Sequence, residues 1–344
     1  MQKNLNYLTP KQRAWGKFKK NRRGYYSLWL FSIVFILSLF AEVISNDKPL
    51  IVNYQNQYYF PIVKFYKETT FGGDFDTEAD YQDKFLREIL TKNGNWMFEP
   101  LNPFNHTTIN YDSVLPNPAP PSTFNVLGTD DRGRDVLARL IYGFRLSILF
   151  AIALTIVGTV MGIIAGMIQG YFGGKVDLLF QRFIEVWGSM PELYLLIIFA
   201  SIFQPSVWLL IILLSMFGWM GLSDYVRAEF LKGRNLDYVK SAKALGLTDK
   251  AIMFRHLLPN SLTPVITFMP FRVSAAILAL TSLDYLGLGV PADTPSLGEL
   301  LSQGKENISA WWLSLTTFSV LVSALMMLIF IGEAVREALD TRRA

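Results

Sequence analysis

The 344-residue sequence is 51% apolar, 14% aromatic and only 17% charged, with a formal net charge of +4 and a mean hydropathy of +0.28. A soluble domain carries about 25% charge, so too few polar side chains remain to cover a water-facing surface, and much of it must face lipid. With no cysteine there is no disulfide framework, thiolate nucleophile or Cys-ligated zinc, and the expectation is an integral membrane protein.

Residues 1–24 carry Lys3, Lys11, Arg13, Lys17, Lys19, Lys20, Arg22 and Arg23 and no acidic residue. The apolar run 25–45 that follows is about 20 residues, enough to cross a hydrocarbon core of ~30 Å. No A-x-A cleavage pattern follows it, so it reads as an uncleaved anchor with a cytoplasmic N-terminus rather than a signal peptide. Residues 46–139 form one large polar, aromatic-rich external segment, acidic at Asp74, Asp76, Glu78, Asp80 and Asp83 and closed by Pro116, Pro118, Pro120 and Pro121. Its strand and helix signals are weak, except for an amphipathic pattern over 80–90. Further spans are predicted near 146–167, 177–203, 207–223, 263–289 and 307–332, with a polar, basic loop at 224–260.

Six spans put both termini on one side, and charge supports this. The loop 224–260 holds Arg227, Lys232, Arg234, Lys240, Lys243, Lys250 and Arg255, and the tail holds Arg336, Arg342 and Arg343. The short segment 290–306 holds only Lys305. Excess Lys and Arg in short loops marks the cytoplasmic side, so both ends are expected there, with the second to sixth spans in a core over 140–344.

Catalytic sets are missing from the sequence. His106 and His256 are the only histidines, neither lies in an H-E-x-x-H arrangement, and no metal site is expected. No G-x-S-x-G elbow occurs. Gly173-Gly174-Lys175 is followed by Val176 rather than Ser or Thr, so it reads as a turn and not a phosphate loop. The chain is expected to be no enzyme by itself.

Two patterns do carry information. Gly158, Gly162, Gly166 and Gly170 lie four apart, a side-chain-free stripe that suits close helix packing, sliding during gating, or both. In 235–260, Asn235 and Asp237 suit a helix start, and Tyr238, Val239, Ala242 and Leu245 fall on one apolar face. Gly246 before Leu247 reads as a left-handed helix stop, Thr248 and Asp249 open a second helix, and Pro259 ends it. A helix of about ten residues is marginal in water, so its apolar face needs a partner: the ends of the membrane helices or another protein.

Tyr238-Val239-Lys240-Ser241-Ala242-Lys243-Ala244-Leu245-Gly246, followed by Arg255-His256-Leu257-Leu258-Pro259-Asn260, resembles the cytoplasmic coupling loop of ABC importer permeases. Lys240-Ser241-Ala242 stands in the place of their "EAA" triplet and keeps only its last alanine, and His256 sits where the general pattern has Ile. A second block, Leu127 to Arg145 with Gly128, Thr129, Asp130, Gly133, Arg134 and Asp135, is similar to the one before the second helix of dipeptide, oligopeptide and nickel permeases; Asn125 stands where a histidine is usual. A third is Tyr285-Leu286-Gly287-Leu288-Gly289 with Thr294-Pro295-Ser296-Leu297-Gly298. There Asp284 stands four residues after the usual acidic position, which is Leu280. The resemblance covers 124–344, and the segment 46–123 resembles the insert of microcin C-type (Yej) peptide permeases.

That resemblance implies an all-α membrane protein with the six transmembrane helices of the type I ABC importer permease fold and a large periplasmic insert between helices 1 and 2. It implies ATPase coupling through Asp237, Tyr238, Ala242, Lys243, Leu245, Gly246, His256 and Pro259, and a periplasmic motif at Gly128, Thr129, Asp130, Gly133, Arg134 and Asp135. It also implies import of oligopeptides, microcin C-like peptides among them, across the bacterial inner membrane. No cofactor is expected on this chain, ATP being bound by partner subunits. The expected partners are a second homologous permease in a heterodimer, cytoplasmic ABC ATPase subunits, a periplasmic peptide-binding protein and the lipid bilayer, with no nucleic acid.

Arg272, Asp284, Glu185 and Glu192 fall inside predicted spans. A mid-membrane charge costs about 2.5–3.5 kcal/mol on insertion scales, so each should face protein or water. Arg272 and Asp284, about 18 Å apart along a helix, should not pair; they are either structural partners or lie on a polar translocation path. Pro264 and Pro270 are expected to bend that helix. A secondary transporter, a membrane sensor and, within the family, a nickel importer remain as alternatives.

Overall fold

The computed structural model describes residues 9–111, 115–291 and 293–340; Lys3, Arg342 and Arg343 lie outside them. In chain order the elements begin with α1 (Pro10–Lys20), α2 (Arg22–Leu39), α3 (Ala41–Ile44), β1 (Ile51–Tyr54), β2 (Gln57–Tyr59), α4 (Lys84–Thr91) and β3 (Trp96–Phe98). Then follow α5 (Val136–Phe172), α6 (Gly174–Gly188), α7 (Glu192–Ile202), α8 (Val207–Gly218), α9 (Met220–Gly233) and α10 (Asp237–Ala244). The last are α11 (Asp249–Ala251), a π-helical turn (Ile252–Leu257), α12 (Leu258–Tyr285), α13 (Leu297–Glu306) and α14 (Trp311–Leu339). Contacts divide the chain into two compact units, Met1–Ser32 with Ile148–Pro291 and Val322–Ala344, and Ile33–Ser147 with Ala292–Leu321.

Among the described residues three helical runs are long and apolar enough to cross a membrane: α5, Asp249–Tyr285 and α14, of 37, 37 and 29 residues. All are longer than the predicted spans at one or both ends. The predicted helix 177–203 is not one helix. It breaks after Gly188 and resumes as α7 with a 66° bend, because Pro191 supplies no N–H and its ring opposes a continuous turn. The predicted 207–223 helix is likewise bent by 40° between α8 and α9 and runs on to Gly233, taking in residues assigned to the loop.

Pro259 does not end a helix as expected. The π-turn before it lets the Leu258 N–H reach back to the Met253 carbonyl, a wider spacing that absorbs the bond a proline removes. Pro264 and Pro270 lie inside the same unbroken run. At the N-terminus α1 opens on a capping box between Thr9 and Gln12. Phe18 is buried with Ala334 and Ala338, and a Cβ on Gly24 would lie 2.2 Å from the Ala334 Cβ, so only glycine lets these helices meet. The expected anchor over 25–45 falls on α2, 18 residues or about 27 Å long, which is not among the runs apolar enough to span, and a break at Phe40 separates it from α3.

The second unit corrects the all-α expectation. It holds an antiparallel sheet in the order β2-β1-β3 over a core of Val52, Phe71, Ala79, Tyr81, Leu86 and Leu90. Gln55 and Asn56 turn the β1–β2 hairpin with φ of 51° and 61°, a left-handed pair that is hard to foresee without Asn-Gly or Asp-Gly. The amphipathic pattern at 80–90 is realised as α4, capped by Asp83 on the Leu86 N–H, with Leu86 and Leu90 buried.

Candidate functional site

Helix α10 ends as its sequence foretells. Gly246 has φ +80°, the Gly246 N–H donates to the Lys243 carbonyl and the Leu247 N–H to Ala242, which is a Schellman stop. Thr248 then caps α11 by accepting from the Ala251 N–H. The face of α10 is narrower than expected. Val239 and Ala242 are buried in a cluster with Leu222, Val226, Phe230, Ile252, Met253 and Leu257. Tyr238 and Leu245, the latter 81% exposed, point away from it.

Of the eight predicted coupling residues, only Ala242 is therefore buried, and His256 is half-buried. Asp237, Tyr238, Lys243, Leu245, Gly246 and Pro259 are exposed. Residues the sequence did not single out fix the frame beneath α10. Arg234 Nη1 donates to the Tyr171 carbonyl at 3.2 Å, the Tyr171 hydroxyl donates to Asp249, and Arg227 clasps Asp177 with two bonds.

The glycine stripe of α5 lies against this same frame. A Cβ at Gly162 would stand 2.9 Å from the Trp219 carbonyl oxygen, at Gly166 2.4 Å from that of Ser223, and at Gly170 2.6 Å from that of Arg227. Backbone meets backbone along α5 and α9, and α9 leads within a few residues into α10.

The motif 128–135 folds into a buried ionic knot in the second unit. Gly128 (φ +78°) and Gly133 (φ +81°) make its turns. The Asp130 carboxylate accepts from the backbone N–H groups of Arg132 and Arg134 at 3.0 and 2.8 Å and from the Arg134 guanidinium at 2.7 Å. Asp135 caps α5 through the Ala138 N–H and accepts from Asn102 and Asn125, each at 2.8 Å. Thr129 offers its carbonyl to Trp312 Nε1 at 3.1 Å.

Two members were not legible in the sequence. Arg139, with no exposed surface, pairs with Glu299, lies 3.5 Å from Asp130, and donates to the carbonyls of His106 and Thr294. Glu299 also accepts from Arg134 at 3.2 Å. Asn125, the departure at a histidine position, is used here as a donor to Asp135.

His106 lies against Tyr142 with ring centroids 4.6 Å apart and planes tilted by 38°, and burial, then the Arg139 charge, push its pKa below the ordinary 6.5. The folded form therefore keeps the ring neutral, while the unfolded chain takes up a proton as pH falls through 6.5, so stability is lost on the acid side. His106→Asn is expected to lessen the loss of hydrogen-exchange protection around residue 106, measured against the intrinsic rate at each pH, between about pH 7.5 and 5.5. An equal loss of protection in both proteins removes His106 as its cause.

Arg272 and Asp284 do not meet. Arg272 Nη2 donates to the Gly218 carbonyl at the α8–α9 bend, 3.0 Å. Asp284 Oδ1 accepts from the Val290 N–H at 2.8 Å and so ties down the turn after α12, where Gly287 has φ +73°. Glu185 pairs with Arg182 at the surface, and Glu192 opens α7, where an acidic side chain meets the positive end of the helix.

Comparison with known proteins bears on this arrangement. Residues 158–344 match the family described as binding-protein-dependent transport system inner membrane component, and residues 9–61 match the N-terminal TM domain of oligopeptide transport permease C. The chain is 51% identical to the inner membrane ABC transporter permease protein YejE of Escherichia coli K12, over 99% of this chain and 100% of that one. It is 47% identical to the peptidoglycan transport system permease protein YejE of Agrobacterium fabrum, over 96% and 93%. Among solved structures, the inward-facing MetNI methionine ABC transporter aligns with a TM-score of 0.50 and 16% identity, over 59% of this chain and 97% of that chain, a likeness of fold.

Proposed function

The chain belongs to the family of binding-protein-dependent transport system inner membrane components, and on that footing we propose that it is one of two permease subunits of an ATP-driven importer of oligopeptides. As a member it is a multi-pass inner-membrane component of a transporter and not itself an enzyme. In this reading six spans, α2, α5, the two bent pairs counted singly, α12 and α14, leave both termini cytoplasmic, and residues 46–139 face the periplasm. A binding protein delivers peptide there, a second homologous permease closes the path, and separate ATPase subunits hold the ATP. Microcin C-like peptides fall in the substrate class, as do peptide-bearing wall fragments, given the name of the Agrobacterium relative.

The observation that carries the reading is the two-sidedness of α10. Val239 and Ala242 lock it to α9 and the π-turn, while Tyr238, Leu245 and Gly246 are left exposed. A push on the exposed side by a closing ATPase then moves α9, and with it α5 through the glycine contacts, which is the differential contact a two-state switch requires.

The test is Gly246→Asp. A Cβ at Gly246 meets nothing within 4 Å, and the left-handed backbone costs a non-glycine residue about 1 kcal/mol, Asp being among the better tolerated. Membrane level should therefore hold while peptide uptake falls to background, together with the ATPase activity that co-purifies with the tagged wild type. Normal uptake by the variant would sink the coupling assignment. A folded wild type that brings down no ATPase would favour ion-driven transport instead.

A further inference from the structure

Arg272 stands near the middle of α12. Leu258 lies about 21 Å away on one side and Tyr285 about 20 Å on the other, at 1.5 Å per residue. Space for the guanidinium is made by one glycine: a Cβ at Gly158 would lie 2.8 Å from Arg272 Nη2, and the carbonyl of Gly218, the last residue of α8, accepts from it.

This single bond leaves the group under-used. A guanidinium has five N–H donors in a planar fork. Nε is enclosed and bonds to nothing, and no carboxylate of the described residues lies within ion-pair distance of Arg272. Elsewhere the fully buried arginines, Arg134 and Arg139, each have an acid, as does the half-buried Arg227, while the half-buried Arg234 bonds to a carbonyl. A mid-membrane cation lacking its own counter-charge marks a ligand site, and the ligand that fits a planar fork is a carboxylate.

We propose that Arg272 binds the terminal carboxylate of a peptide midway across the membrane, a transit site on the path. The proposal rests on the peptide-importer reading. One fork-shaped contact, shared with Gly218, suits a site that must capture its ligand and release it again.

The experiment uses the complete importer in proteoliposomes, with both permeases and the ATPases, and the binding protein saturated with a tripeptide bearing a free C-terminus or its C-terminal amide. Arg272→Gln keeps a donor for Gly218 and removes the charge; Arg272→Lys keeps the charge. Losing a charge-assisted contact should lower ATP-driven uptake of the free-carboxylate peptide roughly tenfold in Arg272→Gln, while Arg272→Lys retains most of it. Amide uptake, relative to the wild type, should be unaffected by Arg272→Gln.

Free-carboxylate uptake at the wild-type rate in Arg272→Gln overturns the site. An equal fall for both peptides assigns Arg272 to the α8–α9 bend, and a fall in the yield of assembled complex assigns its counter-charge to the second permease. If the assembled wild type shows no ATP-driven peptide uptake at all, it is the functional reading that fails, and the transit site with it.

Discussion

Arg139→Leu is expected to destabilise the chain by about 3–5 kcal/mol, the usual cost of removing one partner from a buried ion pair. Asp130 is fully enclosed and cannot turn to water when the arginine leaves, and Arg134 alone is then left to pair with both Asp130 and Glu299. Against a typical total stability of 5–15 kcal/mol, such a loss should lower membrane levels severalfold and lower the melting temperature in detergent. Arg139→Lys keeps the charge but not the fork that spans Glu299 and the carbonyls of His106 and Thr294, and should fall between the two. The control is Lys92→Met, which breaks the exposed pair with Glu88 in the same unit and should leave the melting temperature nearly unchanged. Matching melting temperatures for the two variants would mean that the knot contributes no more than a surface pair.

Gly166→Ala should do comparable harm through a single methyl group. Its Cβ would lie 2.4 Å from the Ser223 carbonyl oxygen, 2.8 Å from the Val226 Cβ and 2.9 Å from the Arg227 amide nitrogen. Two of these are backbone atoms, so α5 and α9 must part rather than a side chain swing aside. Overpacking of this kind costs about 1–3 kcal/mol. In the functional reading it also loosens the grip of α5 on the helix that carries α10, and uptake should fall more steeply than protein level. Gly221→Ala is the matched comparison: on α9 itself, its Cβ meets nothing within 4 Å, and the gain in helix propensity should stabilise by up to about 1 kcal/mol. Opposite signs are the expected result in thermal melts. Two neutral substitutions would show that the α5–α9 contact has room to give.

The segment 237–249 was the most legible part of the sequence because its signals are local. The Gly246 stop and the Thr248 cap each depend on residues a few positions away, whereas Ala242 is buried by residues as distant as Leu222 and Phe230. The glycine stripe was legible as a contact surface for the same reason, though its partner α9 was not, since that stretch was divided between a span and a loop. The effect of proline was set by context: Pro191 broke a helix read as continuous, while Pro259, read as a helix end, lies inside one. The lost hydrogen bond at Pro259 could be absorbed by a π-turn that no residue pattern announces.

Composition, apolar run length and the placement of Lys and Arg were enough to determine a membrane protein with an apolar, multi-helix core, because burial in lipid is a demand on every residue of a span. The motif blocks were enough to indicate the family. The tertiary structure alone decided which charges are satisfied and by what. Arg139 and Glu299 are far apart in the chain and share a buried pair, Asp284 turns back on its own helix end, and Arg272 finds a carbonyl where a carboxylate was conceivable. A charge is neutralised by whatever the fold brings within a few ångströms, and chain separation carries no record of that distance.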